Sequence, residues 1–475
     1  MVKNNKFIRG VVALVAGAAG SQLLAILVAP ALTRIFTPED FGVLAIYAGL
    51  LGIFTVVASL RFELAIPLPE DDQEAVSIVV LCALLVTIIA GLSAIVVGFF
   101  GDAASRMLDA PSLSKYLWLF PFGVFFSGIY QTLNYWAIRK KEFQSIATGR
   151  VLQVASTLSV QLFGFKFGSL ALIGGQVIGQ AVGGGTLCRK SSKNINFLQA
   201  KFSNIPLIVY RYRQFPLYST WAALLNAAGS QIPPLMLAAL FGPIAAGLYA
   251  LAQRVLMLPM SVIGSAIGSV FLSNAAEAYR TGEIAGIMAR VHGQLTKIAA
   301  APALVLMVAG PELFGFVFGP EWRQAGFFAQ WMAPWLYFVF VTSPLSTLFE
   351  VMEKQKQHLL FHVVLLLVRA GAIAIGAWQE NLEMAIALFS TGSAICWVWM
   401  LFWLNKILKN EWGPLIRSTL RSFGWGGFCL LPLIGGMATS KSISAFILSL
   451  AVTTIFILAY YFVNFKNGFT SEQSK

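Results

Sequence analysis

Two arginines, Arg254 and Arg369, lie in the middle of long apolar segments of the chain. A charged side chain at the centre of a membrane helix costs about 2.5–3.5 kcal/mol on insertion scales, so such residues face the protein interior or water rather than lipid. A guanidinium stays charged, and its planar fork of donors matches phosphate oxygens. The two arginines therefore predict a water-accessible cavity that binds an anion. The alternative is that each pairs with carboxylate or carbonyl groups inside the protein.

Other polar residues could extend this cavity. Arg34, Arg61 and Arg150 lie at the ends of apolar segments, where long side chains also commonly reach the membrane interface. We expect Arg61 and Arg150 to form a basic vestibule, and we include Arg34 with them. Amides inside the segments could contact a ligand or join helices by hydrogen bonds. These amides are Gln22, Gln153, Gln176, Gln180, Asn226 and Gln231, and we assign Gln22, Gln153 and Asn226 to the cavity.

Proline can break the regularity of such helices. Pro259 follows Arg254 by five residues, and proline kinks a helix because it removes a backbone hydrogen bond. We predict that Pro259 is a hinge, although proline is also common in membrane helices without any such role.

Carboxylates are placed differently from the arginines. No Asp or Glu lies near the middle of an apolar segment, and Glu63 falls in an acidic loop that we predict to be solvated. The four cysteines and three histidines are scattered without metal-ligand spacing. A nucleotide-binding G-x-x-x-x-G-K-[ST] loop is absent from the sequence. These patterns predict no metal, no cofactor and no catalytic residues, and they favour an anionic ligand.

Membrane-spanning helices must position these residues. The chain is 58% hydrophobic and only 11% charged, whereas soluble proteins carry about 25% charged residues. Apolar stretches near the roughly 20 residues that cross a bilayer recur along its length. We predict an all-α integral membrane protein with about fourteen transmembrane helices. The predicted spans are 10–33, 40–60, 76–100, 116–137, 145–165, 169–188, 215–240, 244–272, 294–318, 325–348, 358–378, 382–405, 420–438 and 442–463.

Basic residues indicate how these spans are oriented. With the N-terminus in the cytoplasm, 25 of the 33 Lys and Arg residues fall on the inner side, six on the outer side and two within spans. Such a bias over alternating loops is the positive-inside pattern. It predicts that both termini are cytoplasmic. It also explains the net charge of +13 without a nucleic-acid partner.

A short motif recurs along the chain. Residues 36–38 with Gly42 match residues 241–243 with Gly247, at an offset of 205. The match predicts a duplicated bundle whose halves are parallel repeats, a geometry suited to alternating access about a central cavity. The predicted division is an N-terminal six-helix lobe (1–200), a basic interfacial linker (201–214), a C-terminal six-helix lobe (215–410) and a terminal helix pair and tail (411–475).

Four further motifs occur in a specific order. They are LTRIFTPEDFG at 32–42, RFELAI at 61–66, NYWAIR at 134–139 with RVLQ at 150–153, and GLYALAQRV at 247–255. In these motifs the chain resembles the polysaccharide and O-antigen flippases of the multidrug/oligosaccharidyl-lipid/polysaccharide exporter superfamily.

The resemblance implies a MATE-like, V-shaped bundle of two six-helix lobes around a cationic lumen. It also implies that an undecaprenyl-pyrophosphate-linked oligosaccharide, an O-antigen or similar repeat unit, moves across the bacterial inner membrane. Within the last motif, Arg254 becomes the first candidate for a lumen cation, followed by Arg61 and Arg150, whereas Arg369 matches no motif. The implied partners are this lipid-linked glycan, membrane lipids, and a polysaccharide polymerase with other assembly proteins.

Two other functions fit a multi-span membrane protein. A polysaccharide polymerase or glycosyltransferase usually carries catalytic groups in a large outer loop, but the predicted outer loops are short. A cation-coupled multidrug exporter of the same superfamily is expected to keep a carboxylate inside the membrane. The predicted spans place arginine there instead, so the sequence favours the flippase.

Overall fold

Helices make up nearly all of the protein. The computed structural model describes residues 2–191, 205–257, 260, 281, 283–352, 354–439 and 442–472, and in these ranges it contains no strand. The long helices are α1 (Val2–Ile35), α2 (Pro38–Val57), α3 (Asp72–Met107), α4 (Phe120–Arg139), α5 (Phe143–Phe163), α6 (Ser169–Ser191), α7 (Thr220–Phe241), α8 (Pro243–Leu256), α9 (Ile284–Phe318), α10 (Arg323–Thr342), α11 (Gln355–Trp378), α12 (Leu382–Ile407), α13 (Trp412–Thr439) and α14 (Ile443–Glu472).

Each predicted span overlaps one of these helices, which confirms the all-α membrane class. Ten of them are long and apolar enough to cross a membrane, namely α1, α2, α3, α6, α7, α9, α11, α12, α13 and α14. The remaining spans fall on α4, α5, α8 and α10. Polar residues such as Gln131, Asn134 and Arg150 make α4 and α5 less apolar. Most of the predicted span 244–272 beyond α8 lies outside the described residues.

Local chemistry determines where several helices begin. The Thr37 side chain accepts a hydrogen bond from the Asp40 backbone, and the Asp40 carboxylate accepts one from the Thr37 backbone. This capping box satisfies N–H groups that the first turn of α2 leaves free. Asn381 caps α12 in the same way, by accepting a hydrogen bond from the Met384 backbone. Thr37 and Asn381 thus fix the first turns of α2 and α12.

Packing divides the chain into two compact units. The first contains Met1–Leu251 with Val317–Trp322, and the second contains Ala252–Phe316 with Arg323–Lys475. In the first unit, one buried apolar cluster includes Tyr47 and another includes Trp136. In the second unit, Tyr337 belongs to a cluster that α9 and α10 build. The division into two six-helix lobes, a linker and a terminal pair, which was drawn from the sequence, stays a prediction.

The repeated motif forms a close helix crossing within the first unit. A methyl group on Gly42 of α2 would overlap the carbonyl oxygen of Pro243, and one on Gly247 of α8 would overlap that of Pro38. The glycines are 205 residues apart, as are the prolines. A reciprocal contact of this kind is what a twofold axis generates. The two copies of the motif therefore face each other.

The start of the predicted linker lies outside the described residues, and its second part is docked onto α3. A short helix, Ile205–Arg211, forms there. Its last residue, Arg211, pairs with Glu74 across 2.9 Å, and the Tyr212 hydroxyl donates a hydrogen bond to the same carboxylate at 3.1 Å. These contacts anchor the basic connection to the first unit.

Candidate functional site

A polar cavity of about 520 Å³ opens among α2, α4, α5 and α6 of the first unit. Its lining includes amides, hydroxyls and two phenols, although all four helices that supply them were predicted to span the membrane. The polar lining residues are Thr55, Ser127, Tyr130, Gln131, Asn134, Tyr135, Gln153, Gln176 and Gln180. A membrane protein places such groups inside when they contact one another, water or a ligand.

Helical spacing brings these groups together. Ser127, Tyr130, Gln131 and Asn134 follow the i, i+3, i+4, i+7 pattern, so one face of α4 presents all of them. On α6, Gln176 and Gln180 stand one turn apart in the same way. On α2, the lining residue Gly52 lies against Gln231, whose side-chain nitrogen would be 3.3 Å from a methyl group at this position.

The lining residues also carry buried polar atoms. Among the described residues, the hydroxyl of Ser127 and the side-chain oxygen of Gln180 are buried without a hydrogen-bond partner. Leaving such a group unpaired costs about 1–3 kcal/mol, and most buried polar groups are paired. These two atoms are therefore exceptions within the wall of the cavity.

A buried carboxylate stands beside the cavity. Glu63 is fully buried and accepts hydrogen bonds from the Ser59 hydroxyl and from the side-chain amide of Gln131, the latter at 2.9 Å. The Arg61 guanidinium lies 3.4 Å from the same carboxylate. Because Gln131 also lines the cavity, this cluster is linked directly to the cavity wall.

The prediction that Glu63 lies in a solvated loop is wrong. The backbone reverses after α2 through Leu60 and Arg61, which both adopt left-handed φ values, of 50° and 64°. That conformation is uncommon for residues other than glycine. The turn that follows carries Glu63 into the protein. Burial raises the pKa of its carboxyl, against the opposing effects of Ser59, Arg61 and Gln131.

Three of the predicted site residues lie at or near this cavity. Gln153 of α5 is part of its lining. Arg61 is partly buried against Glu63. Arg150 is exposed on α5, three residues before the lining residue Gln153 on the same helix. The structure thus places two cations beside an amide-lined cavity.

Three other predicted residues lie elsewhere in the first unit. Gln22 is half-buried on α1, whereas Arg34 at the end of α1 and Asn226 on α7 are exposed. None of them lines the cavity described above. Their assignment to a substrate pathway stays a prediction.

Arg254 and Arg369 belong to the second unit. Arg369 donates a hydrogen bond to the Ser393 hydroxyl at 3.2 Å, and its guanidinium lies 4.9 Å from the ring centre of Trp335 and 5.5 Å from that of Phe389. Aromatic faces attract a cation in this arrangement. Arg254 is half-buried near the end of α8 and forms no ion pair within the described part of the chain. Pro259, the predicted hinge, lies outside the described residues.

The sequence contained signals for cavity residues that it did not assign. Tyr130, Gln131 and Asn134 form a polar stripe on an otherwise apolar helix, and that spacing is visible in the sequence alone. The link from Gln131 to Glu63 joins residues 68 positions apart. Only the fold brings those two side chains together.

Long apolar helices around an amide-lined cavity define the class, a multi-pass membrane protein. The family model described as "Polysaccharide biosynthesis protein" matches residues 31–326, more than half of the sequence. The chain belongs to this family, as the resemblance in its motifs implied. No curated protein matches the sequence.

Solved transporter structures share the fold. The lipid II flippase MurJ in its inward closed conformation matches with a TM-score of 0.74 and 12% identity, over 96% of this chain and 99% of that chain. An inward-facing multidrug resistance MATE transporter matches with a TM-score of 0.59 and 14% identity, over 83% and 93%. A MATE protein in complex with MaD5 matches with a TM-score of 0.53 and 15% identity, over 85% and 96%. These likenesses confirm the predicted MATE-like fold.

Proposed function

We propose that this protein moves an undecaprenyl-pyrophosphate-linked oligosaccharide, an O-antigen or similar repeat unit, across the bacterial inner membrane by alternating access. The family and the transporter fold support a lipid-linked cargo. The bias of Lys and Arg over the loops supports cytoplasmic positions for both termini. The observation that carries the proposal is the amide-lined cavity of the first unit.

The lining suits a sugar. A side-chain amide both donates and accepts hydrogen bonds, as a sugar hydroxyl does. Gln131, Asn134, Gln153 and Gln180 offer several such groups within one cavity. Its volume of about 520 Å³ falls within the roughly 300–1,000 Å³ of small-molecule sites. We assign the glycan part of the cargo to this cavity.

The pyrophosphate requires cations. Arg61 and Arg150 lie near the cavity and would attract the charged link as the cargo enters. We assign Arg254 and Arg369 to the same pathway because guanidinium groups bind phosphate oxygens well. In this proposal the cations hold the pyrophosphate, the amides hold the sugars, and the undecaprenyl chain stays in the bilayer.

A second function gains support from Glu63. The sequence disfavoured a cation-coupled exporter because the predicted spans lacked a carboxylate. The structure, however, buries the carboxylate of Glu63 beside the cavity. A buried carboxyl with a raised pKa can take up and release a proton. Proton-coupled export of a small molecule is therefore the alternative function, and coupling of glycan transport to protons would use the same residue.

Complementation separates these functions. In a strain without its own flippase, the wild-type gene should restore surface polysaccharide, and Gln131→Ala/Asn134→Ala should leave lipid-linked glycan on the inner leaflet. Gln144→Ala is the matched control because Gln144 is exposed on α5 and does not line the cavity. Arg254→Ala should also abolish complementation at normal protein abundance.

Three outcomes would contradict the flippase. Full activity of the Gln131/Asn134 variant would remove the role of the cavity. Drug resistance without any change in polysaccharide would favour the exporter. A knockout that exports single repeat units would indicate a polymerase.

A further inference from the structure

The second unit contains a basic cleft that the proposed transport does not use. Residues of α9, α13 and α14 and the turn before α13 border a cavity of about 630 Å³. Four of its lining residues are cations and one is an anion. The cations are Arg290, Lys297, Arg417 and Arg421, and the anion is Glu411.

The cations form two rows. On α9, Arg290, Gln294 and Lys297 follow the i, i+4, i+7 pattern of one helix face. On α13, Arg417, Arg421 and Trp425 stand four residues apart, or about 6 Å per step along the axis. Because both rows line the same cleft, their charges converge on one space.

No carboxylate of the described residues neutralises this charge. None of the four cations forms an ion pair with any of them, and Glu411 lies beyond ion-pair distance of all four. Like charges on neighbouring turns repel one another. A bound polyanion would reverse that repulsion, and arginine and lysine are the residues that bind phosphate.

An apolar surface continues from the basic end. Beyond Arg421, α13 exposes Trp425 and Phe428. Tyr460 of α14 stacks on Trp425, with ring centres 6.5 Å apart, and Phe428 packs edge-on against Phe456. Tryptophan and tyrosine are enriched where headgroups meet acyl chains. The cationic cleft thus ends at aromatic residues, and an exposed apolar surface of α13 continues beyond them, as an amphiphile requires.

We propose that this cleft binds the headgroup of an anionic phospholipid. Its phosphate oxygens contact Arg290, Lys297, Arg417 and Arg421, and its acyl chains lie along the aromatic and apolar surface of α13 and α14. Basic pockets between membrane helices bind anionic headgroups by this chemistry. The site belongs to the second unit alone and does not depend on the identity of the transported cargo.

Lipid binding to the purified full-length protein tests the proposal. In a neutral detergent, fluorescent phosphatidylglycerol should bind, and phosphatidylcholine should not compete with it. Replacing two cations, in Arg417→Gln/Arg421→Gln, should weaken binding about 30-fold, since each basic residue near a charged membrane contributes about 1 kcal/mol. Arg290→Gln/Lys297→Gln should give a similar loss from the opposite wall, so one poorly folded variant would not decide the result.

A matched variant controls for net charge. Lys356→Gln/Lys406→Gln removes two exposed lysines that do not line the cleft and that the charge bias predicts on the same membrane side. Its affinity for phosphatidylglycerol should equal that of the wild type, and binding to the wild type should weaken as salt rises.

Each contrary result has a distinct meaning. Equal affinity in both cleft variants would overturn the site. Equally tight binding of inorganic pyrophosphate would show an anion site without lipid selectivity. If undecaprenyl pyrophosphate binds to the cleft and phosphatidylglycerol does not, the cleft belongs to the cargo and the phospholipid proposal is rejected.

Discussion

The crossing of α2 and α8 predicts a measurable penalty for adding a single methyl group. On Gly42 the methyl would overlap the Pro243 carbonyl oxygen and lie 3.0 Å from the Pro243 Cα, and on Gly247 it would lie 2.7 Å from the Gly42 nitrogen. Carbon atoms pack best at about 3.5–4.0 Å. The methyl on Gly42 would lie only 2.4 Å from the Pro243 carbonyl carbon, so the two backbones must separate by more than about 1 Å.

Two opposing effects set the size of that penalty. Forcing a methyl group into a packed contact costs about 1–3 kcal/mol, whereas alanine stabilises a helix interior by about 0.5–1 kcal/mol relative to glycine. Gly42→Ala and Gly247→Ala should each lower the free energy of unfolding by about 1–2 kcal/mol. The double variant should cost less than the sum because both methyl groups separate the same pair of helices.

Unfolding in mixed detergent and SDS micelles measures these values. Gly20→Ala is the control, because a methyl group on Gly20 of α1 meets no atom within 4 Å. It should be neutral or stabilising. If Gly42→Ala is as stable as Gly20→Ala, or if the two penalties are fully additive, the reciprocal crossing is refuted.

Three further predictions concern single side chains. Burial raises the pKa of Glu63 above its ordinary value of 4.5, so the folded state holds the proton more tightly and stability should fall as pH rises from 4.5 through the raised value. Glu63→Gln should flatten that slope in thermal unfolding, and an unchanged slope would exclude this carboxyl as its source. The Trp322 indole donates a buried hydrogen bond of 2.8 Å to the Thr33 carbonyl. Trp322→Phe should therefore lower the free energy of unfolding by about 1–3 kcal/mol, and a loss below about 0.5 kcal/mol would contradict a stabilising role for this hydrogen bond. Arg369 packs on Trp335, so Arg369→Gln should shift tryptophan fluorescence when Trp335 is present. In the Trp335→Phe background the same substitution should shift it less, and equal shifts in the two backgrounds would disprove the contact.

The sequence predicted the membrane helices well, because a bilayer requires apolar segments of a fixed length. It also identified the repeated motif through Gly42 and Gly247, whose close approach needs a residue without a side chain. Both signals are local in the chain. The apolar segments and the repeated motif can therefore be recognised without any knowledge of packing.

The site could be predicted only in part. Gln153 could be predicted as a cavity residue from its depth in a span. Gln131 and Asn134, on the polar face of α4, were not predicted because the site was inferred mainly from charged residues. Glu63 was grouped with the acidic run that begins at Glu70, although its immediate neighbours Phe62 and Leu64 are apolar. Its hydrogen bond to Gln131 comes from another helix. Local polarity cannot report a contact that tertiary packing creates.

Transport by purified protein in vesicles tests the central claim most directly. Vesicles that contain the protein and an undecaprenyl-pyrophosphate-linked oligosaccharide are treated from outside with an enzyme that modifies exposed glycan. The wild type and Gln144→Ala should expose the inner-leaflet pool. Gln131→Ala/Asn134→Ala should slow that exposure about tenfold, the change expected from losing one or two hydrogen bonds. Equal rates for the cavity variant and the wild type, or no exposure by the wild type, would contradict the claim that this cavity carries the glycan.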